Sequence, residues 1–112
     1  MNADIQLSPE ADVVYKYISQ KALSSKSERI MLKAILRKIE LIKNNPWYGQ
    51  QVPKRLIPKE YILKYKIANL YRVELPQFWR MLYTLTDTGE VEIIAFVLDI
   101  VDHKDYNKKL RY

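Results

Sequence analysis

The chain contains no cysteine, one histidine and only two glycines. Without cysteine there are no disulfides and no thiolate-bound metal, a composition compatible with a reducing compartment. The glycines, Gly49 and Gly89, stand far apart, so no glycine-rich loop exists to cradle a phosphate. No apolar run approaches the roughly 18 residues that cross a bilayer, and no signal-like segment follows Met1. The cytoplasm is therefore the expected location, with no membrane partner.

At 112 residues the chain is expected to be a single domain, residues 1–112. Its apolar fraction of 48% is enough for one core. Lysine and arginine outnumber the acids, giving a net charge of +6. That balance suits an acidic partner, either nucleic acid or an acidic protein, and it also serves plain solubility. Nine tyrosines and two tryptophans add rings that could stack on bases or fill a core.

Residues 4–7 read as a short strand. Ser8-Pro9-Glu10 is a helix start, with Ser8 as N-cap and Pro9 at the first helical position. Ala11, Val14, Tyr17 and Ile18 share a face of a helix that runs to about Leu23. Ser25 and Glu28 have the spacing of a capping box for a second helix. Leu32, Ile35, Ile39 and Ile42 repeat at helical spacing, and the pattern stops at Asn44-Asn45-Pro46. Lys26, Arg29, Lys33 and Arg37 line the opposite face, as a solvated face or as a docking stripe. The break is so short that the two helices are expected to form a hairpin. Residues 47–58 read as a loop containing Lys54 and Arg55, and residues 61–67 are ambiguous between helix and strand.

The most informative stretch is 70–85. Tyr71, Val73 and Leu75 alternate, as do Trp79, Met81, Tyr83 and Leu85. Pro76 cannot donate to a ladder, so it belongs in a turn. A three-residue turn of Pro76, Gln77 and Phe78 pairs Leu75 with Trp79 and Val73 with Met81. Both apolar sets then share one face, and Arg72, Glu74 and Arg80 lie on the other. Two guanidinium groups on one face suit two-point phosphate binding. Thr86 to Gly89 reads as another hairpin turn. The continuous apolar run from Ile93 to Leu98 marks an interior strand. The expected fold class is α+β: an N-terminal strand and a helical hairpin packed on a twisted antiparallel sheet, the other sheet face partly open.

The hairpin 70–85, the strand 91–100 and the tail His103-Lys104-Asp105-Tyr106 together resemble the RelE/ParE toxin superfamily. Its members pair a Tyr-Arg-Val/Leu strand with an Arg-hydrophobic-hydrophobic-Tyr strand, followed by a buried strand and a basic or histidine segment ending in tyrosine. The resemblance covers nearly the whole chain and is strongest over 70–85. It implies the toxin of a type II toxin–antitoxin system, RelE-like, which cuts messenger RNA on the ribosome without a metal or other cofactor. The implied partners are an acidic antitoxin encoded nearby and the mRNA–ribosome complex. ParE-like members instead bind and inhibit gyrase, and an inactive homologue would only bind its antitoxin.

The implied catalytic residues are Arg80, His103, Glu74 and Tyr106, with Arg72 and Lys104 as RNA contacts. Each has a structural alternative. Arg80 grips the scissile phosphate in the RNA-cleaving members, yet here it can pair with Glu74 across the hairpin. Glu74 stands where those members often carry a second basic group, so it is a general base or a charge that repels RNA. His103 titrates near neutrality and suits proton transfer, or it caps the tail. Tyr106 stacks on a base or packs the tail onto the sheet. Asp99, Asp102, His103 and Asp105 cluster in sequence, but their spacing matches no recognised metal loop, and no metal site is expected.

Overall fold

The computed structural model describes residues 3–98. In chain order the elements are β1 (Ile5–Leu7), α1 (Pro9–Lys21), α2 (Lys26–Asn44), β2 (Gln50–Gln51), α3 (Lys59–Tyr65), β3 (Tyr71–Glu74), β4 (Trp79–Leu85) and β5 (Val91–Leu98). The strands form one sheet in the order β1-β5-β4-β3-β2. The α+β expectation holds, with two differences in the sheet: β1 runs parallel to β5, and Gln50–Gln51, inside the segment 47–58 expected to be a loop, adds the edge strand β2 beside β3. A parallel pair needs a long crossover, and everything from α1 to β4 lies between these two strands.

Ser8 begins α1 as expected. It is fully buried, and its Oγ accepts from the Ala11 N–H at 3.1 Å. The same hydroxyl donates to the Ile94 carbonyl at 2.6 Å, while the Ser8 N–H donates to the Ile93 carbonyl. One residue thus caps the helix and ties it to β5. The helix ends at Lys21, slightly short of the expected Leu23. Ala11 and Ile18 are buried, whereas Tyr17 is 56% exposed and Tyr15 packs against the core in its place. Ser25 is the N-cap of α2, but its hydroxyl bonds the Glu28 carboxylate and its N–H donates to the Lys21 carbonyl, so neither side-chain-to-backbone bond of the expected capping box forms.

The principal core lies between the helical hairpin and one sheet face. Met31, Ile35 and Ile42 from α2 meet Tyr71 and Val73 from β3, Leu75 just after it, and Met81 and Tyr83 from β4. Leu32 and Ile39 are only partly buried beside them. Burying such side chains contributes roughly 1.5–3 kcal/mol each.

The other sheet face is not uniformly open. Ile57, Tyr61, Ile67, Leu70 and Ile94 form a second core, with Val52 and Leu82 packed on it. Residues 61–67 are thus mostly helical: α3 covers this face and stops at Lys66, which adopts the left-handed conformation at φ 57°. A β-bulge between β4 and β5 makes the second core possible. Leu82 aligns with Ala95 and Tyr83 with Ile93, which leaves Ile94 as the extra residue. Ile93 and Phe96 therefore serve the principal core while Ile94 serves the second.

Candidate functional site

The β3–β4 hairpin adopts the register expected from its alternation. Val73 pairs with Met81, Glu74 with Arg80, and the Leu75 N–H donates to the Trp79 carbonyl at 2.7 Å. Pro76–Phe78 forms a short 3-10 turn with Gln77 at φ 60° and Phe78 at φ 65°. Left-handed backbone costs roughly 1–2 kcal/mol at a residue other than glycine. Gln77 is held there by its side-chain amide, which donates to Ser27 Oγ at 2.7 Å.

Register places Arg72, Glu74 and Arg80 on the face opposite the principal core. Arg72 and Arg80 are half-buried and Glu74 is exposed. The Arg72 Nε donates to Gln50 Oε1 at 3.0 Å, and Gln50 is also its ladder partner on β2. The short edge strand therefore aims this guanidinium. Glu74 and Arg80 share with Phe78 and Trp79 an open cleft of about 280 Å³ at the hairpin tip. The arrangement offers two guanidinium groups, one carboxylate and an exposed ring within one short hairpin.

A tyrosine holds this hairpin to the preceding loop. Tyr83 is fully buried and stacks on Tyr71 with ring centroids 5.3 Å apart. Its hydroxyl donates to the Pro46 carbonyl at 2.8 Å and accepts from the Gly49 N–H at 2.8 Å. Burial pushes the Tyr83 hydroxyl up to about 12, with the neighbouring Tyr71 and Tyr48 acting in the same direction. Gly49 is required by this contact, because a Cβ there would lie 2.9 Å from the Tyr83 hydroxyl and 3.0 Å from the Arg72 carbonyl. The loop that leads into Gln50 is thereby fixed under Arg72.

The structure thus brings Arg72, Glu74 and Arg80 together. His103, Lys104 and Tyr106 lie outside the described residues, as do Asp99, Asp102 and Asp105. Gln50, Gln77, Phe78 and Trp79 join the site without having been singled out from the sequence. An aromatic residue in the turn position of Phe78 was the available signal. The α2 stripe of Lys26, Arg29, Lys33 and Arg37 is solvent-exposed, and Arg29 also donates to the Ala22 carbonyl at the end of α1.

Among solved structures, the YoeB dimer from Staphylococcus aureus is similar to this chain with a TM-score of 0.58. The match covers 85% of this chain and 94% of that one, at 21% sequence identity. The chain has the RelE/YoeB-like fold. Within that fold the resemblance of the hairpin and the architecture of the sheet agree. No protein-family model and no curated protein matches the chain. Among the described residues, no helix of this RelE/YoeB-like fold is long and apolar enough to cross a membrane.

Proposed function

We propose that this chain is the toxin of a type II toxin–antitoxin pair and cleaves messenger RNA on the ribosome. The observation that carries the reading is the placement of Arg72 and Arg80 on one face of the β3–β4 hairpin, beside Glu74, in a RelE/YoeB-like fold. The reaction is attack of a ribose 2′-hydroxyl on the adjacent phosphate. A base takes the 2′-proton, a pentacovalent phosphate forms, and the bond to the 5′-oxygen breaks as that oxygen receives a proton. The products are a 2′,3′-cyclic phosphate and a free 5′-hydroxyl.

Arg80 and Arg72 stabilise the charge on the pentacovalent phosphate, which is the electrostatic share of the catalysis. His103 or Glu74 moves the protons, Tyr106 stacks on or orients a base, and Lys104 contacts a further phosphate. The assignments of His103, Tyr106 and Lys104 rest on the sequence resemblance. The ribosome supplies the remainder of the site, so free RNA is a poorer substrate than a translated message.

The partner in this reading is an acidic antitoxin segment that covers the hairpin face and the exposed α2 stripe. Expression of the chain alone should arrest growth, and Arg80→Ala should relieve the arrest while the protein stays folded. Unimpaired growth with folded wild-type protein would count against an active toxin. Glu74 favours one second reading. A carboxylate opposite Arg80 lowers the positive charge offered to RNA, as expected of a ParE-like protein that inhibits gyrase without cutting RNA. Inhibition of gyrase supercoiling, with no cleavage on ribosomes, would select it.

A further inference from the structure

Phe78 has no use in either core and none in phosphate binding. The residue is 75% exposed at the tip of the β3–β4 hairpin. Its backbone stands at φ 65°, next to Gln77 at φ 60°, a region that bulky residues avoid. Glycine or asparagine would make the same turn with less strain. Strain held at an exposed ring points from an observed outlier toward function. The tip is also fixed, because Gln77 is bonded to Ser27 on α2 and the Leu75–Trp79 hydrogen bond closes the turn. The ring is thus presented on a braced support.

Phe78 lines the same open cleft as Trp79, Arg80 and Glu74. Its volume of about 280 Å³ lies just below the usual ligand-pocket sizes, roughly 300–1,000 Å³, as suits a single flat group. An aromatic face, a guanidinium and an acceptor-only carboxylate are the groups that single-stranded RNA uses. The ring stacks on an unpaired base, the cation meets the adjoining phosphate, and the carboxylate accepts from a base N–H.

We propose that the cleft at the hairpin tip is a nucleotide subsite for single-stranded RNA, in which Phe78 stacks on an unpaired base while Arg80 holds the adjoining phosphate. The inference rests on the RNA reading of Arg80 and adds a base-binding position to it. Phe78 is a binding and positioning residue here and takes no part in proton transfer.

The test uses the full chain carrying Trp47→Phe, which leaves Trp79 as the reporter in the cleft. It is titrated with a 2′-O-methylated single-stranded RNA hexamer, which cannot be cleaved. Saturable change of Trp79 fluorescence is expected. Phe78→Tyr should bind like the parent, and Phe78→Leu and Phe78→Gly should bind about 5- to 100-fold more weakly, the usual effect of losing one stacked base. Phe78→Gly also relieves the left-handed backbone, so its fold should survive, as thermal unfolding would verify. None of the three Phe78 variants should change the salt dependence, whereas Arg80→Ala should lower the slope of log K against log salt by about 0.7.

Equal affinity of Phe78→Gly and the parent would overturn the subsite. Full affinity of Phe78→Leu would overturn stacking as its basis. Absence of RNA binding, with capture of a protein partner that depends on Phe78, would give the tip to that partner. Phe78-dependent binding without cleavage on ribosomes would end the endoribonuclease reading and keep the subsite. Cleavage on ribosomes with Phe78-independent RNA binding would do the reverse.

Discussion

Glu74 and Arg80 face each other as ladder partners across β3 and β4, close to the turn, on the sheet face that also carries Arg72. A cross-strand pair of opposite charge contributes roughly 0.2–1 kcal/mol. Glu74→Ala should therefore lower unfolding stability by less than about 1 kcal/mol in denaturant titration. Its effect on cleavage separates two roles. A pairing role leaves activity intact or raised, and a general-base role lowers the rate on the order of 10²–10⁴-fold. Arg80→Lys should not restore activity, because an ammonium lacks the planar two-point fork.

Tyr83→Phe should destabilise the protein by about 1–3 kcal/mol, since the Gly49 N–H and the Pro46 carbonyl lose their buried partner. Gly49→Ala should cost a similar amount, roughly 1–3 kcal/mol, through overpacking against Tyr83 and the Arg72 backbone. Both changes should also weaken RNA binding, because this loop positions Gln50 beneath Arg72. Chemical denaturation with a parallel RNA titration checks the pair of effects.

Among the described residues, Tyr83 and Glu10 show how stability depends on pH at the two extremes, and burial raises Tyr65 to about 12 as it does Tyr83. Tyr83 is held up at about 12 by burial, above its ordinary value of 10. The folded state therefore keeps its proton longer than the unfolded chain, and this stabilisation is full below pH 10 and lost as pH rises toward 12. Glu10 behaves oppositely. The hydrogen bonds from Lys64 and then Tyr65 hold its carboxyl down at about 2, against an ordinary 4.5. That contribution is present above pH 4.5 and lost as pH falls toward 2. Lys64 and Glu10 are both largely exposed, so the effect is small and screened by salt. Glu10→Gln should make the acid limb of the stability profile slightly shallower, and Tyr83→Phe should make the alkaline limb shallower while leaving the share of Tyr65.

Binding of the acidic antitoxin should weaken as salt rises, because the cations of the α2 stripe are solvent-exposed. Charge reversal at Lys33 and Arg37 should slow association more than it speeds dissociation. Surface-based kinetics with the product of the adjacent gene, at low and high salt, measures this. Absence of binding at either salt would remove the toxin–antitoxin reading.

The hairpin was legible in the sequence because three signals agreed on one register: Pro76 in the turn, period-two alternation on both arms, and a turn length that aligns Val73 with Met81. Arg72, Glu74 and Arg80 followed from that register alone. The second core was not legible. It depends on a bulge at Ile94 that no local pattern marks, and on a short helix ended by a left-handed Lys66 where glycine is usual. The parallel pairing of β1 with β5 was equally hidden, since the two strands are joined through every element between them. Tyr17 illustrates a limit of periodicity. It lies near the core face of α1 by spacing, yet it borders an open groove with Met31 and Trp79. Phe78 was passed over because turn residues are read for their backbone and seldom for their rings.

The most direct test of the central claim is cleavage of a defined message on translating ribosomes, in the presence of EDTA and after controls for ribosome integrity. The expected result is scission that leaves a 2′,3′-cyclic phosphate or 3′-phosphate end and is lost in Arg80→Ala, with that variant still folded and its unfolding stability lowered by no more than the roughly 1 kcal/mol of a cross-strand pair. Intact message in the presence of folded wild-type protein, or cleavage undiminished by Arg80→Ala, would contradict it.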